Sequence, residues 1–136
     1  MELNTYLHFN GNCDEAFRFY EKTLGGRIEM RSTYGDSPAG PQSPPAMKDK
    51  IIHARIRIGD TVLMGSDTPP ERFSAPQGYS LTLSAKTPEE AERIFAAMGA
   101  GGQVHMPMAE SFFAHRFGML ADKFGVPWMV ICQKTP

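Results

Sequence analysis

Asp14-Glu15-Ala16-Phe17-Arg18-Phe19-Tyr20 and Glu89-Glu90-Ala91-Glu92-Arg93-Ile94-Phe95 lie 75 residues apart and share one pattern: two acids, an alanine, an arginine two places on, then an apolar and an aromatic residue. Each stretch predicts a helix. Ala16, Phe19, Tyr20 and Leu24 fall on one stripe of the first, and Ala91, Ile94, Phe95 and Met98 on one stripe of the second. Asn12 with Glu15, and Thr87 with Pro88 and Glu90, supply capping chemistry at the two starts. Gly25-Gly26 ends the first helix and residues 99–102 the second, so Gly101-Gly102 answers Gly25-Gly26 one residue out of step.

Outward from the helices, both halves read the same way. Residues 3–9 alternate as a strand, with Leu3, Thr5, Leu7 and Phe9 on one face and Asn4, Tyr6 and His8 on the other. Residues 27–33 form the next strand. Residues 51–58 set Ile52, Ala54, Ile56 and Ile58 against His53, Arg55 and Arg57, and Gly59-Asp60 turns the chain into a strand at 61–66. The second half offers a strand at 79–85, with Tyr79, Leu81 and Leu83 opposite Ser80, Thr82 and Ser84, and then its helix. Strands at 103–106, 116–121 and 128–133 follow, with a loop at 107–115. The expected fold is α+β: two tandem βαβββ modules, about 1–67 and 78–136, in one domain, each burying its apolar face against its twin. Residues 34–50 stand apart, because Pro38, Pro41, Pro44 and Pro45 with Gly35 and Gly40 forbid a helix or a ladder. A loop this long is a candidate lid or binding loop.

Composition narrows the function classes. Fourteen Lys and Arg against fifteen Asp and Glu leave a net charge of -1, with no basic run longer than two residues, which argues against nucleic-acid binding. No apolar run approaches the roughly 20 residues of a membrane span, and the first residues lack a basic and apolar leader, so a soluble cytoplasmic protein is expected. Cys13 and Cys132 are read as reduced thiols, Cys13 at a helix start but without an evident base and Cys132 within an apolar strand.

The duplicated module resembles the vicinal oxygen chelate superfamily of glyoxalases, bleomycin-resistance proteins and extradiol dioxygenases. Within it, Leu3-Asn4-Thr5-Tyr6-Leu7-His8-Phe9-Asn10-Gly11-Asn12-Cys13-Asp14-Glu15-Ala16-Phe17 resembles the opening of the PhnB-like branch. Ile58-Gly59-Asp60-Thr61-Val62-Leu63-Met64-Gly65-Ser66-Asp67 and Arg116-Phe117-Gly118-Met119-Leu120-Ala121-Asp122-Lys123-Phe124-Gly125-Val126-Pro127-Trp128-Met129 resemble it again. The resemblance implies two sheets paired into an open half-barrel with a concave cavity, a homodimer, and, in the superfamily's enzymes, a divalent metal held by His and Glu on the first and last strands of each module.

Those positions are depleted here. His8 is the one candidate on a first strand, Ser80 stands at the matching place in the second module, and Met129 follows Trp128 where the superfamily often has Glu. Thioether and hydroxyl groups suit no catalytic Zn, Mn or Mg. The expectation is therefore a protein without the family metal that binds a small organic molecule, with Tyr6, His8, His53, Arg55, Met64, Ser80, Thr82, Arg116, Trp128 and Met129 lining the cavity. The alternative is a metal-dependent lyase, thiol transferase or dioxygenase binding Zn, Ni, Mn or Mg through His8 and His53, with carboxylates such as Glu29 or Glu110. His105 and His115, at a strand and a loop edge, are read as solvated or structural. Some PhnB-like chains carry a demethylubiquinone methyltransferase label, but the glycine pairs here follow helices instead of opening a nucleotide-binding turn after a strand. No reaction is assigned by the residues alone.

Overall fold

Strand β1 (Thr5–Phe9) leads into helix α1 (Cys13–Leu24), and β2 (Arg27–Thr33), β3 (Ile51–Ile58) and β4 (Thr61–Asp67) follow. The order then repeats as β5 (Leu81–Ser84), α2 (Pro88–Gly99), β6 (Gln103–Ala109), β7 (Ala114–Ala121) and β8 (Pro127–Gln133). This computed structural model describes residues 1–134, in two units, the first spanning Met1–Ser74 and the second starting at Ala75. Each unit holds one four-stranded sheet, in the orders β1-β4-β3-β2 and β5-β8-β7-β6. In both, the first strand runs parallel to the last and the other neighbours are antiparallel. The repeat in sequence is a repeat of topology. Among the described residues no helix is long and apolar enough to cross a membrane.

The glycine pairs confirm the one-residue slip. Gly25 takes the left-handed conformation (φ 70°) and closes α1, and the N–H of Gly26 donates back to Glu21 O at 3.2 Å. In the second unit Ala100 is extended and Gly101 (φ 76°) takes the left-handed place, so Ala100 is the inserted residue.

Helix α1 starts differently from expectation. Asn12 makes no side-chain cap; the carboxylate of Asp67, at the end of β4, accepts the Cys13 N–H at 2.9 Å instead. Its other oxygen accepts the Ile51 N–H at 2.8 Å, so one buried side chain pins the start of α1 and the start of β3. Thr87 does cap α2, accepting the Glu90 N–H at 3.1 Å, while Glu90 Oε1 accepts the Lys86 N–H at 3.0 Å. The stripe of α1 is Cys13, Ala16, Phe17 and Tyr20, with Phe19 only half-buried; Phe17 meets Phe9 edge to face at 6.0 Å. Helix α2 buries Ala91, Ile94 and Met98 of its expected stripe, while Phe95 is only half-buried.

Strand limits moved where hydrogen-bond partners decide them. Leu3 is fully exposed and β1 begins at Thr5; β5 begins at Leu81. β6 runs on through Pro107 to Ala109, a position open to proline because β6 is an edge strand, and His115 lies in β7, not in a loop. The 34–50 segment contains two single 3-10 turns, Gly40–Gln42 and Pro45–Met47. Its ends are tied, with Tyr34 N–H donating to Lys50 O and Gly35 N–H to Lys48 O, both at 2.9 Å, and Met47 is buried.

Candidate functional site

The side of the first sheet turned away from α1 carries its chemistry. Leu7, Gly65 and Ala54 form one row across β1, β4 and β3, and a Cβ on Gly65 would meet the Phe17 ring of α1, so that row faces the helix. Alternation puts Tyr6, His8, His53, Arg55, Met64 and Ser66 on the other side. Tyr6 stands opposite Met64, Met64 opposite Arg55, and His8 opposite Ser66, while His53 comes one residue beyond the Ala54–Gly65 pair. Tyr6 Oη and His53 Nδ1 share a hydrogen bond of 3.1 Å, with the rings stacked at 5.6 Å. The Tyr6 ring also lies 5.2 Å from that of His8, whose Nδ1 is 3.4 Å from Thr68 Oγ1. Each imidazole therefore has its Nδ1 engaged by a hydroxyl, which orients the ring and leaves Nε2 as the second polar atom. Arg55 Nη1 lies against Met64 Sδ at 3.7 Å.

At the C-terminal end of β1 and β4 this face opens into a cavity of about 450 Å³, lined by His8, Tyr34, Ser66, Asp67, Thr68, Pro69, Arg72 and Ser74. Tyr34 Oη donates to the Asp67 carbonyl oxygen at 2.8 Å. Burial raises the Tyr34 pKa above 10.0, and the charge of Asp67 raises it further, so the phenol stays a donor at neutral pH. A second hollow of about 480 Å³ shares the Thr68 and Pro69 wall and is completed by Asn10, Gly11, Pro44, Ala46, Met47, Lys50, Pro70 and Glu71. The 34–50 loop thus supplies a wall to both, through Tyr34 and through Pro44 to Lys50.

A family model described as 3-demethylubiquinone-9 3-methyltransferase matches residues 1–131. The chain belongs to that family. Protein PA1353 from Pseudomonas aeruginosa, a solved structure, is 44% identical with a TM-score of 0.90, covering 99% of both chains. Protein YjdN from Escherichia coli is 37% identical over 96% of this chain and 94% of its own length. A Bacillus cereus structure described as a putative 3-demethylubiquinone-9 3-methyltransferase, PhnB protein, is 27% identical with a TM-score of 0.83, over 97% of this chain and 99% of that one. The expected PhnB-like branch is thereby shown, and the duplicated βαβββ topology is the fold of the glyoxalase and bleomycin-resistance superfamily.

Within this PhnB-like chain the expected site residues divide by face. Tyr6, His8, His53, Arg55 and Met64 are together on the open side of the first sheet. Thr82 pairs with Met129 on the side of the second sheet away from α2, and Ser80 precedes β5, half-buried. Trp128 and Arg116 are elsewhere. Trp128 is 2% exposed, in the row of Leu81 and Leu120, and its indole N–H donates to the buried Asp122 carboxylate at 2.8 Å. Arg116 is on the same helix-facing side, pairing with Glu92 of α2 at 3.1 Å. Neither lines an open sheet face. Tyr34, Ser66, Thr68 and Arg72 join His8 in the cavity without having been singled out; the signal available was Gly65-Ser66-Asp67 closing β4 beside the Pro69-Pro70 turn.

On the open face of the first sheet, the donors among the described residues are fewer than the superfamily metal takes. Among the described residues, no group of three or more His, Cys, Asp or Glu converges as metal ligands do. Of the carboxylates offered by the alternative reading, Glu29 is bound to Arg57 at 2.8 Å, which holds its carboxyl below the ordinary range, and Glu110 pairs with Lys134 at 3.4 Å in the other unit. Asp67 spends both oxygens on backbone N–H groups. Two imidazoles and a serine do not fit a catalytic divalent ion, which takes at least three N or O ligands. Cys13 is fully buried, and burial, reinforced by Asp67 and Asp14, pushes its thiol far up, so it is no nucleophile.

Proposed function

We propose that this PhnB-like chain binds a small organic molecule in the cavity at the end of β1 and β4, as a cytoplasmic homodimer that works without the divalent ion of the superfamily's enzymes. The cavity itself carries the reading: about 450 Å³ of concave space walled by rings and a proline, with hydroxyls, an imidazole and a guanidinium converging on it. That mixture fits a ligand oriented by a few polar contacts on an otherwise apolar bed. The neighbouring Tyr6, His8 and His53 rings extend the bed along the sheet.

One observation favours a metal-dependent lyase, transferase or dioxygenase instead: the Nδ1 atoms of His8 and His53 are both hydrogen-bonded, as ligating histidines usually are. The missing third donor weighs more. Methyl transfer, the activity in the family's description, finds no support in the glycines, since Gly25 and Gly101 close helices, nor in sheets of order β1-β4-β3-β2 and β5-β8-β7-β6, which are not doubly wound.

The test is a fragment screen by amide NMR on the full chain, alongside calorimetric titration with Zn, Ni, Mn and Mg. Fragments that move the amides of His8, residues 66–68 and Arg72, and lose that effect in His8→Ala, are expected. Stoichiometric sub-micromolar binding of any of the four ions, lost in His8→Ala, overturns the reading.

A further inference from the structure

We infer that the ligand of this cavity is an organic anion whose carboxylate or phosphate group is held by Arg72, with its apolar or aromatic body lying toward His8. The inference rests on the ligand-binding reading above and adds the ligand's charge.

Arg72, in the short turn Pro70–Arg72, is exposed and lines the cavity, and among the described residues its guanidinium forms no ion pair or hydrogen bond. Arg18, Arg31 and Arg57 of the same unit all pair with carboxylates. One acid lines the same cavity, Asp67, and it does not serve as the missing partner. Its oxygens face the Cys13 and Ile51 N–H groups at 2.9 and 2.8 Å, on the helix side of the sheet, and it is 1% exposed. The cavity therefore presents one unpaired cation, whose planar fork matches two oxygens of a carboxylate or phosphate.

The smaller groups agree in sign. Thr68 and Ser74, four residues before Arg72 and two after it, add hydroxyls to the same lining, which also holds the Tyr34 phenol. An anion seated there meets the Arg72 guanidinium and the Ser74 hydroxyl, while the Tyr34 hydroxyl stays on the Asp67 carbonyl oxygen. A cation would meet Arg72, and the one acid on this cavity's lining, Asp67, is buried; Glu71 lines the adjoining hollow instead. The His8 ring, also on the lining and 5.2 Å from that of Tyr6, offers a flat surface for a ring or an unsaturated chain.

Sodium benzoate, phenyl phosphate and benzamide, titrated at constant ionic strength into the 15N-labelled full chain and its Arg72→Gln and Arg72→Lys variants, decide the matter. Benzoate or phenyl phosphate is expected to move the amides of residues 66–68 and Arg72 and to bind at least tenfold more tightly than benzamide. Arg72→Gln should erase that difference and Arg72→Lys retain part of it; whichever anion binds better tells carboxylate from phosphate. Benzamide binding these residues as tightly as both anions, or anion affinity within twofold of the parent in Arg72→Gln, overturns the inference and leaves the cavity reading standing. Amides unmoved by all three probes but moved by a neutral fragment likewise overturn the inference alone, and amides unmoved by any compound remove both.

Discussion

Replacing Asp67 is the most informative perturbation of this fold. Its carboxylate is 1% exposed and accepts two backbone N–H groups, Cys13 at 2.9 Å and Ile51 at 2.8 Å. Hydrogen bonds to a charged group contribute about 1.5–3 kcal/mol each, and loss of a helix cap costs about 0.5–2 kcal/mol, part of which is the same bond counted again. Asp67→Ala leaves both N–H groups buried and unpaired, so a loss of about 3–5 kcal/mol is expected. Asp67→Asn keeps one acceptor but turns an NH₂ toward the other N–H, for a loss of about 2–3 kcal/mol. With a urea slope of roughly 1–3 kcal/mol/M, either change moves the unfolding midpoint by about 0.7 M or more. Hydrogen exchange gives the local signature: the Cys13 and Ile51 amides should lose more protection than amides of α2. Asp60→Asn, on the exposed β3–β4 turn, should stay within about 0.5 kcal/mol of the parent. If Asp67→Asn unfolds at the parent's urea concentration, with both amides still protected, the assignment of this carboxylate as the cap of α1 and the anchor of β3 is wrong.

Four further outcomes follow from the geometry. Gly65→Ala places a Cβ 2.9 Å from the Phe17 ring and 3.1 Å from the Leu7 carbonyl oxygen, so overpacking should cost about 1–3 kcal/mol in urea unfolding. For Asp14, burial alone would raise the pKa, but hydrogen bonds from Arg18 and Arg31 outweigh it and hold the carboxyl below its usual 3.8. A depressed carboxyl stabilises the fold above its unfolded pKa and loses that contribution as pH falls through the folded one, so Asp14→Asn should flatten the decline in stability below about pH 4, with an effect of about 1 kcal/mol at this half-exposed site. Cys13 and Cys132 are both buried, and burial disfavours the Cys13 thiolate, so a disulfide reagent at pH 8 should label neither thiol until denaturant is added. Trp128→Phe removes the donor to Asp122, costing about 1–3 kcal/mol, and should leave fragment binding at His8 and Arg72 unchanged.

The fold was legible in the sequence because its determinants are local. Alternation in residues 51–58, the stripe of α2, the Thr87 cap and the glycine pairs each need only a few neighbouring residues to be read. Asp67 shows where locality ends. The cap of α1 comes from 54 positions away, because β4 lies beside β1 in the sheet, and Asn12 was the nearest residue of the right type. The same long-range pairing brings His8 beside Ser66, and the turn after β4 brings Arg72 to the same hollow.

Side assignment on the second sheet follows the same logic. Trp128 and Met129 are adjacent on β8 and so cannot both face the open side; which one does depends on where α2 lies. Gly118 decides it. A Cβ there would strike Phe95 of α2, and Gly118 pairs with Val130, so the even positions of β8 face the helix and Met129 faces away. Arg116 pairs with Cys132 in that even set, beyond an irregularity between Ala114 and Arg116, and its guanidinium accordingly meets Glu92 on α2. In the first unit strand alternation puts Arg55 against Met64 on the open face, whereas the arginine on the cavity lining is Arg72, in a turn whose place beside His8 depends on β4 pairing with β1.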